Sequence, residues 1–168
     1  MAEPTAPEID RTLANLVSVI DALSSRQSDC PGVTLTLSGL IVSGRVIPRW
    51  QWFDEVEHAS RAAFTVHTGG SIDDEHGGWA NLFRADHESA VRDRDEYLSA
   101  RSTIQNLPEH YQRRIGQELQ PHFIHLSETR IFAAAQAGPL PVSGMHWRGR
   151  LSQVSGWSFG IHISADKD

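Results

Sequence analysis

The chain has 168 residues, of which 39% are hydrophobic and 21% are charged, a composition typical of one folded domain with a sizeable core. Its formal net charge of −6 does not favour a protein that attracts nucleic acid through its overall charge. The single cysteine, Cys30, excludes an internal disulfide and fits a reducing compartment.

The amino-terminal region predicts a tail followed by a helix. Residues 1–7 have the composition of a flexible tail, and we expect residues 8–168 to form a single domain. The opening sequence MAEPTAPEID has no signal-peptide pattern, and no apolar run approaches the ~20 residues that span a bilayer, so we expect a cytoplasmic protein without a membrane anchor. Apolar residues at helical spacing then predict a helix of about four turns. They are Ile9, Leu13, Leu16, Val17, Ile20 and Leu23.

The next stretch, GVTLTLSGLIVSGRVIP, predicts two strands joined at Ser38-Gly39. Apolar side chains alternate with Thr and Ser in the first strand, which is typical of a half-buried strand. Gly44, inside the second strand, indicates a bulge or bend. After Pro48, residues 50–53 read as a strand extension that leads into a short helix from Asp54.

The middle of the chain predicts a loop and helical insertion over residues 57–120. Residues 67–88 carry two glycine pairs and many acids, which is typical of a surface loop. Residues 88–120 have helical composition, with Pro108 at the first turn of a further helix.

The last third returns to strands. Phe123–Leu126 reads as a strand, with a polar turn at Glu128-Thr129 and a second turn region at GPLPVSG. From Trp157 to Ile163 apolar and small polar residues alternate, and we expect this row to be buried. The fold class that follows is α+β: a small, strongly bent antiparallel sheet, or an Sm-like barrel, with an N-terminal helix and a helical insertion.

The polar residues offer few candidates for chemistry. Asp73, Asp74, Glu75 and His76 could hold a metal ion, but their spacing fits neither a calcium loop nor a zinc helix, and a solvated loop is the simpler interpretation. Nine histidines raise the same question, with His146 the first to inspect, because it neighbours Trp147 and Arg148. No nucleophile elbow, phosphate loop or zinc helix motif is present, and we expect neither an enzyme nor a cofactor.

The segment WRGR, at 147–150, is the main candidate for a contact site. On a strand, Arg148 and Arg150 share one face, and Trp147 and Gly149 share the other. The two guanidinium groups could bind phosphate or carboxylate groups of a partner, or pair with acids of this chain such as Asp54 and Glu55.

Two segments together resemble the gas vesicle accessory protein U family. The first is GVTLTLSGLIVSGRVIPRWQWFDE at 32–55, and the second, at 123–160, contains FIHLSETRIF followed by WRGRLSQVSGWSFG. The resemblance implies a non-enzymatic accessory protein that helps gas vesicles to assemble, stay stable or cluster. It also implies a location on the vesicles and partners among shell or other gas vesicle proteins. Because unpaired sheet edges favour self-association, we also expect homo-oligomers. Trp147, Arg148, Arg150 and Trp157 are then the candidate interaction residues.

The first segment is also similar, more loosely, to Sm-like small barrels. That similarity implies rings and RNA binding through arginines such as Arg45 and Arg49, or another oligomeric interaction module. The net charge does not favour this alternative.

Overall fold

The computed structural model describes residues 9–26, 28–68, 80–133 and 139–162. In these ranges the helices are α1 (Arg11–Asp21), α2 (Arg49–Thr68), α3 (Ala80–Gln105) and α4 (Glu109–Glu118). The strands are β1 (Gly32–Leu37), β2 (Leu40–Val46), β3 (Phe123–Ala133), β4 (Leu140–Arg150) and β5 (Gly156–Phe159), with a 3-10 turn at Leu151–Gln153. The chain divides into two compact units: Met1–Ile20, Gln27–Ile47 and Leu119–Asp168 form one, and Asp21–Arg26 and Pro48–Glu118 form the other.

The first unit is built on one antiparallel sheet with the strand order β4-β3-β2-β1-β5. β1 pairs with β2 on one side and with β5 on the other, so that Val33 lies opposite both Gly44 and Phe159. The two ends of the sequence therefore meet in one sheet, as the alternating patterns predicted, and the α+β class with an N-terminal helix is confirmed.

The sheet is strongly curved, because its two edges are joined by a very short link. Residues 151–155 alone connect β4, at one edge, to β5, at the other. Four strand spacings of about 4.8 Å would separate these edges by about 19 Å in a flat sheet. A link that contains a 3-10 turn reaches only about 17 Å. The two ends of the link are also offset along the strands, because β4 ends beside Phe123 and β5 begins at the level of Phe132. The link could not span both distances across a flat sheet, so the sheet must bend.

Of the two predicted forms, the structure has the bent open sheet and not the barrel. β4 and β5 are the two ends of the strand order, and the described residues contain no pairing between them. β5 has only 4 residues, and its pairing with β1 ends at Phe159. Because β5 is short and lies at an edge, the predicted burial of residues 157–163 is also wrong in part. Trp157 is half-buried and Phe159 is 66% exposed, while Ile163 lies outside the described residues.

The core of this unit follows the predicted alternation. Val33, Leu35 and Val42 are fully buried and share one face of β1 and β2. The α1 stripe is buried too, at Leu13, Ala14, Val17 and Ile20, and Asp10 caps the helix by accepting a hydrogen bond from the Leu13 amide at 2.8 Å.

Two predicted turns are strands in the structure. β3 runs unbroken from Phe123 to Ala133, and Glu128 has a φ of 51° at the position where its pairing with β2 shifts register. The polar pair at 128–129 therefore forms a β-bulge and not a turn. The GPLPVSG segment is likewise not a turn region throughout, because β4 begins at Leu140.

The predicted strand extension at residues 50–53 is also wrong, since α2 begins at Arg49. The Trp52 amide donates to the Pro48 carbonyl at 3.0 Å, which is the first helical hydrogen bond. Trp50, Gln51, Trp52 and Phe53 are all buried, so the sequence shows neither a period of two nor a period of 3.6 here. Residues 80–88, predicted as loop, are helical as the start of α3.

A buried carboxylate links α2 and α3 in the second unit. Glu57, on α2, is 6% exposed, and its Oε1 accepts hydrogen bonds from Arg61 at 3.0 Å and from Arg84, on α3, at 3.1 Å. Burial alone would raise the pKa of Glu57, but the two guanidinium groups outweigh it and hold the pKa below its usual range. Across the described ranges, no helix has the length and apolar character required to cross a membrane.

Replacing Gly44 by alanine should destabilise the protein. A Cβ at this position would lie 2.8 Å from Thr129 Oγ1 and 2.9 Å from the Ser127 carbonyl oxygen, beside the β3 bulge. We expect Gly44→Ala to lower the free energy of unfolding by about 2 kcal/mol in chemical denaturation. Gly116→Ala is the control, because a Cβ there meets nothing within 4 Å and alanine favours the helix. Equal stability of the two variants would contradict this account.

Asp21 should make stability depend on pH. Burial, opposed by the Arg49 amide and charge, raises the pKa of this carboxyl from 3.8 to about 6. Its Oδ1 accepts a hydrogen bond from the Arg49 amide at 2.7 Å, at the start of α2. Because the folded pKa exceeds the unfolded value, the folded state holds the proton more tightly, and this contribution to stability is lost as pH rises from about 4 to 6.

Asp21→Asn should escape that loss, since asparagine keeps the acceptor without the charge. As pH rises from 4 to 7, its melting temperature should rise relative to that of the wild type. The corresponding change in the difference between their free energies of unfolding is about 2 kcal/mol. Asp29→Asn changes the net charge equally at an exposed position and serves as the control. A gap between Asp21→Asn and wild type that stays constant with pH would contradict the prediction.

Candidate functional site

The candidate interaction residues fall at the two opposite edges of the sheet. Trp147, Arg148 and Arg150 lie on β4, and Trp157 lies on β5. Three strands separate β4 from β5 in the strand order. The structure therefore brings the first three residues together and places Trp157 at a second site.

At the β4 edge, both arginines lie over one aromatic ring. The guanidinium carbon of Arg148 is 3.8 Å from the ring centroid of Phe123, on the neighbouring strand, and that of Arg150 is 5.7 Å from it. Phe123 pairs with Arg150, and His125 pairs with Arg148, so these four side chains share one face, as the sequence predicted for the two arginines. The ring positions two exposed cations side by side. We call Phe123, Arg148 and Arg150 the cationic edge.

The backbone of the same two arginines points away from the sheet. The Ile47 amide donates to the His125 carbonyl at 3.0 Å, so His125 directs its backbone groups towards β2 and not towards β4. The Leu151 amide donates to the His122 carbonyl at 2.9 Å. The hydrogen-bonded pairs of β3 and β4 therefore involve the even-numbered residues of this part of β3, Ile124 and Leu126. Arg148 and Arg150 therefore sit at non-hydrogen-bonded positions, where amide and carbonyl groups face the outer side of an edge strand.

Trp147 covers the opposite face of β4. A Cβ built on Gly149 would lie 1.9 Å from the Trp147 ring, so the indole lies flat along its own strand, over the glycine. Trp147 is half-buried and pairs with the fully buried Leu126. β4 thus presents a partly exposed aromatic surface on one face and two cations on the other.

The β5 edge is aromatic. The rings of Trp157 and Phe159 meet edge to face at 5.1 Å, and Phe159 is 66% exposed. The Gly160 amide donates to the Gly32 carbonyl at 2.9 Å, which makes Val33–Phe159 a non-hydrogen-bonded pair. The backbone groups of Trp157 and Phe159 therefore face outwards, as those of the arginines do at the other edge.

Sequence reasoning missed Phe123 and Phe159 as site residues. Phe123 contacts the arginines only through the pairing of β3 with β4, across 25 or more positions of sequence, and no local spacing encodes that contact. Phe159 belonged to a row expected to be buried. Its two-residue spacing from Trp157 was the available signal that both side chains face the same way.

The acids that were considered as partners for these arginines have another partner. Asp54 and Glu55, on α2, both pair with Arg26. On the cationic edge, both arginines make cation–π contacts with Phe123.

The other candidates show no assembled chemical site. Among the described residues, no three histidine, cysteine or acidic side chains are grouped to hold a metal ion. The Asp73–His76 segment lies outside those residues, and His146 is half-buried. Burial raises the pKa of the Cys30 thiol, which disfavours the nucleophilic thiolate.

Reversing the charge of Arg148 should leave the fold intact. Its side chain is exposed, and its guanidinium group lies over Phe123. We expect Arg148→Glu to cost about 0.5–1 kcal/mol, the value of an exposed cation–π contact, in thermal or chemical denaturation. Leu126→Ala, at a fully buried position of the neighbouring strand, is the comparison and should cost about 3 kcal/mol. A variant at Arg148 that fails to fold would make this arginine a structural residue.

Comparison with known proteins identifies the family. Neither the curated proteins nor the solved structures gave a match to this chain. One family model, described as gas vesicle protein GvpU-like, matches residues 10–162. The match spans α1, every strand of the sheet and the helices between them. The chain therefore belongs to the GvpU-like family of gas vesicle proteins.

Proposed function

We propose that this protein is a non-enzymatic accessory protein that acts on gas vesicles through protein–protein contacts, in their assembly, stability or clustering. Family membership relates the chain to the gas vesicle system. The observation that supports a contact role is the pair of sheet edges, which differ in chemistry and both direct backbone groups outwards. Open edges pair readily with other chains, so a long one favours association.

The cationic edge is the contact that we assign to gas vesicle proteins. β4 has 11 residues, which is long for an edge strand, and its two exposed guanidinium groups are held over Phe123. Arginines whose position is fixed by packing lose less conformational freedom on binding, so they contribute more to affinity than mobile cations do.

The β5 edge is the contact that we assign to self-association. Trp157 and Phe159 form an aromatic pair, and the exposed part of Phe159 is apolar surface that a second copy would bury. A homo-oligomer formed through β5 would leave β4 accessible on every subunit. This arrangement supports a role in which one assembly holds several vesicle proteins, located in the cytoplasm on the vesicle surface.

Flotation with purified vesicles tests the proposal. Gas vesicles rise on centrifugation, so bound protein is recovered in the floating layer and unbound protein stays below. We expect the wild type to float with vesicles from the organism that encodes it, and Arg148→Glu/Arg150→Glu to bind about tenfold or more weakly, because two charged contacts are reversed.

The matched control for this experiment is Arg113→Glu/Arg114→Glu on α4. These arginines are 70% and 78% exposed, and their reversal changes the net charge by the same amount at another surface. The control should float like the wild type. Equal loss in both double variants would show a bulk charge effect, and wild-type protein that does not float would refute vesicle binding.

A further inference from the structure

We propose that two copies of this chain pair through β5 in an antiparallel, two-fold symmetric contact centred on Ser158, which joins their sheets into one and closes at a dimer. The inference rests on the proposed self-association through β5 and specifies its geometry and stoichiometry. Three features of this edge support the pairing: the order of its residues, the direction of its backbone groups and its lack of charge.

The residues of β5 and the glycine that follows it have a two-fold sequence pattern. From Gly156 to Gly160 they read Gly-Trp-Ser-Phe-Gly, so the order of glycine, aromatic residue and serine is the same in both directions. When two antiparallel copies are aligned at Ser158, Trp157 of each copy lies opposite Phe159 of the other. The glycines at the two ends also lie opposite each other. A contact between identical surfaces must be complementary to itself, and this register meets that condition.

The backbone groups that such pairing needs point outwards. Because Val33–Phe159 is a non-hydrogen-bonded pair, Trp157 and Phe159 direct their amide and carbonyl groups away from β1. The structure places no strand beyond β5 in the described part of the chain. In the register centred on Ser158, Trp157 of each copy and Phe159 of the other would exchange both of their N–H···O hydrogen bonds.

A shift of this register by two residues loses part of the pairing. If Trp157 lay opposite Trp157, Phe159 would face Ser155 of the other copy, whose amide already donates to the Thr36 carbonyl at 2.9 Å. If Phe159 lay opposite Phe159, Trp157 would face a residue beyond Gly160, whose φ of 103° ends the extended strand. The two-fold register therefore pairs both outward residues of each copy, and the shifted ones do not.

The β5 edge also lacks the residues that prevent pairing between sheet edges. Residues 151–161 contain no charged residue and no proline, which are the usual protection of an exposed edge. By contrast, two β4 strands paired antiparallel about Gly149 would set Arg148 of one copy opposite Arg150 of the other, and like charges in that position are destabilising. Of the two edges, β5 is the one that fits a second copy.

The aromatic side chains add an apolar contact. Trp157 and Phe159 pair with the fully buried Leu35 and Val33, so their side chains lie on the buried face of the sheet. In the dimer each Phe159 ring, 66% exposed in the single chain, would lie beside Trp157 of the other copy. Because β5 has only 4 residues, the contact is small, and we expect a weak dimer that dissociates on dilution.

The symmetry of the contact fixes the size of the assembly. A two-fold contact occupies the same edge on both subunits, so it closes at two copies and forms neither a ring nor a filament. The β4 strands would remain at the outer ends of the joined sheet. Each dimer would therefore present two cationic edges and could hold two partner molecules.

Charges placed at Ser158 test the two-fold centre, by sedimentation of the full-length protein over a range of concentrations. Ser158 is exposed, and in the proposed register it lies opposite Ser158 of the other copy. Ser158→Glu and Ser158→Lys should each dimerise about tenfold or more weakly than the wild type, because like charges meet at the centre. An equimolar mixture of the two variants should recover the dimer, since Glu then lies opposite Lys.

The matched controls are Gln117→Glu and Gln117→Lys on α4, which introduce the same charges at another exposed position. Each should dimerise like the wild type, and their mixture should dimerise no better. Ser158 variants that dimerise like the wild type would overturn the proposal. So would a mixture of them that stays monomeric while both variants are folded by circular dichroism.

Disulfide trapping tests the same register without a new charge. Cys30→Ala removes the single native thiol. In that background Ser158→Cys should place the two Cα atoms at about 4.5 Å, the spacing of a non-hydrogen-bonded pair and within reach of a disulfide. Gly156→Cys is the control, because a Cβ there meets nothing within 4 Å. In this register the two copies of residue 156 would be about 14 Å apart.

Mild oxidation should link Ser158→Cys about tenfold faster than Gly156→Cys, because only the first pair is held within bonding distance. Equal rates at the two positions would show random collision and would overturn the register. This measurement also decides the matter if the charged Ser158 variants do not fold.

The outcomes separate this inference from the proposed function. Protein that floats with vesicles but sediments as a monomer at every concentration would overturn the dimer and leave vesicle binding in place. Larger oligomers that Ser158→Glu does not weaken would also overturn the two-fold contact alone. Protein that dimerises through β5 but does not float would overturn the vesicle role and leave the dimer in place.

Discussion

The short link between β4 and β5 is the constraint on which the rest of the first unit depends. Leu151, at its start, is 1% exposed, and its amide is bound to the His122 carbonyl. At its end, the Ser155 amide donates to the Thr36 carbonyl at 2.9 Å. These anchors attach the link to β3 on one side and to β1 on the other, so the sheet must curve to bring the two attachment points within reach. The curvature buries the central strands, and among the described residues the two edge strands do not pair with each other.

The difference between those edges follows from the pairing of their strands. In each edge strand the residues with outward backbone groups are also those that share a face. At β4 they are two arginines supported by Phe123, and at β5 they are Trp157 and Phe159. β4 therefore combines two cations on one face with part of the Trp147 ring on the other, whereas the residues of β5 with outward backbone groups are both aromatic.

In the helical unit, a buried carboxylate and a buried indole both have polar partners. The carboxylate of Glu57 is shared by arginines of α2 and α3, and Trp50 Nε1 donates to the Leu23 carbonyl at 2.9 Å while Arg94 lies 5.5 Å above its ring. Removing one partner of such a buried pair leaves the other charge uncompensated, so these contacts fix which faces of the two helices meet.

The sequence by itself determined the elements with a clear period: α1, the β1–β2 hairpin and the start of β5, together with the α+β class and the common face of Arg148 and Arg150. It failed where local patterns are ambiguous. Residues 50–53 are all buried and show no period, and Glu128 keeps β3 continuous by a bulge that the sequence reads as a turn. Only the tertiary structure decided that the sheet stays open, that Phe123 lies under the arginines, and that Trp157 belongs to a separate edge. These features arise from strand order and register, which depend on contacts between residues far apart in the chain and leave no periodic signal in it.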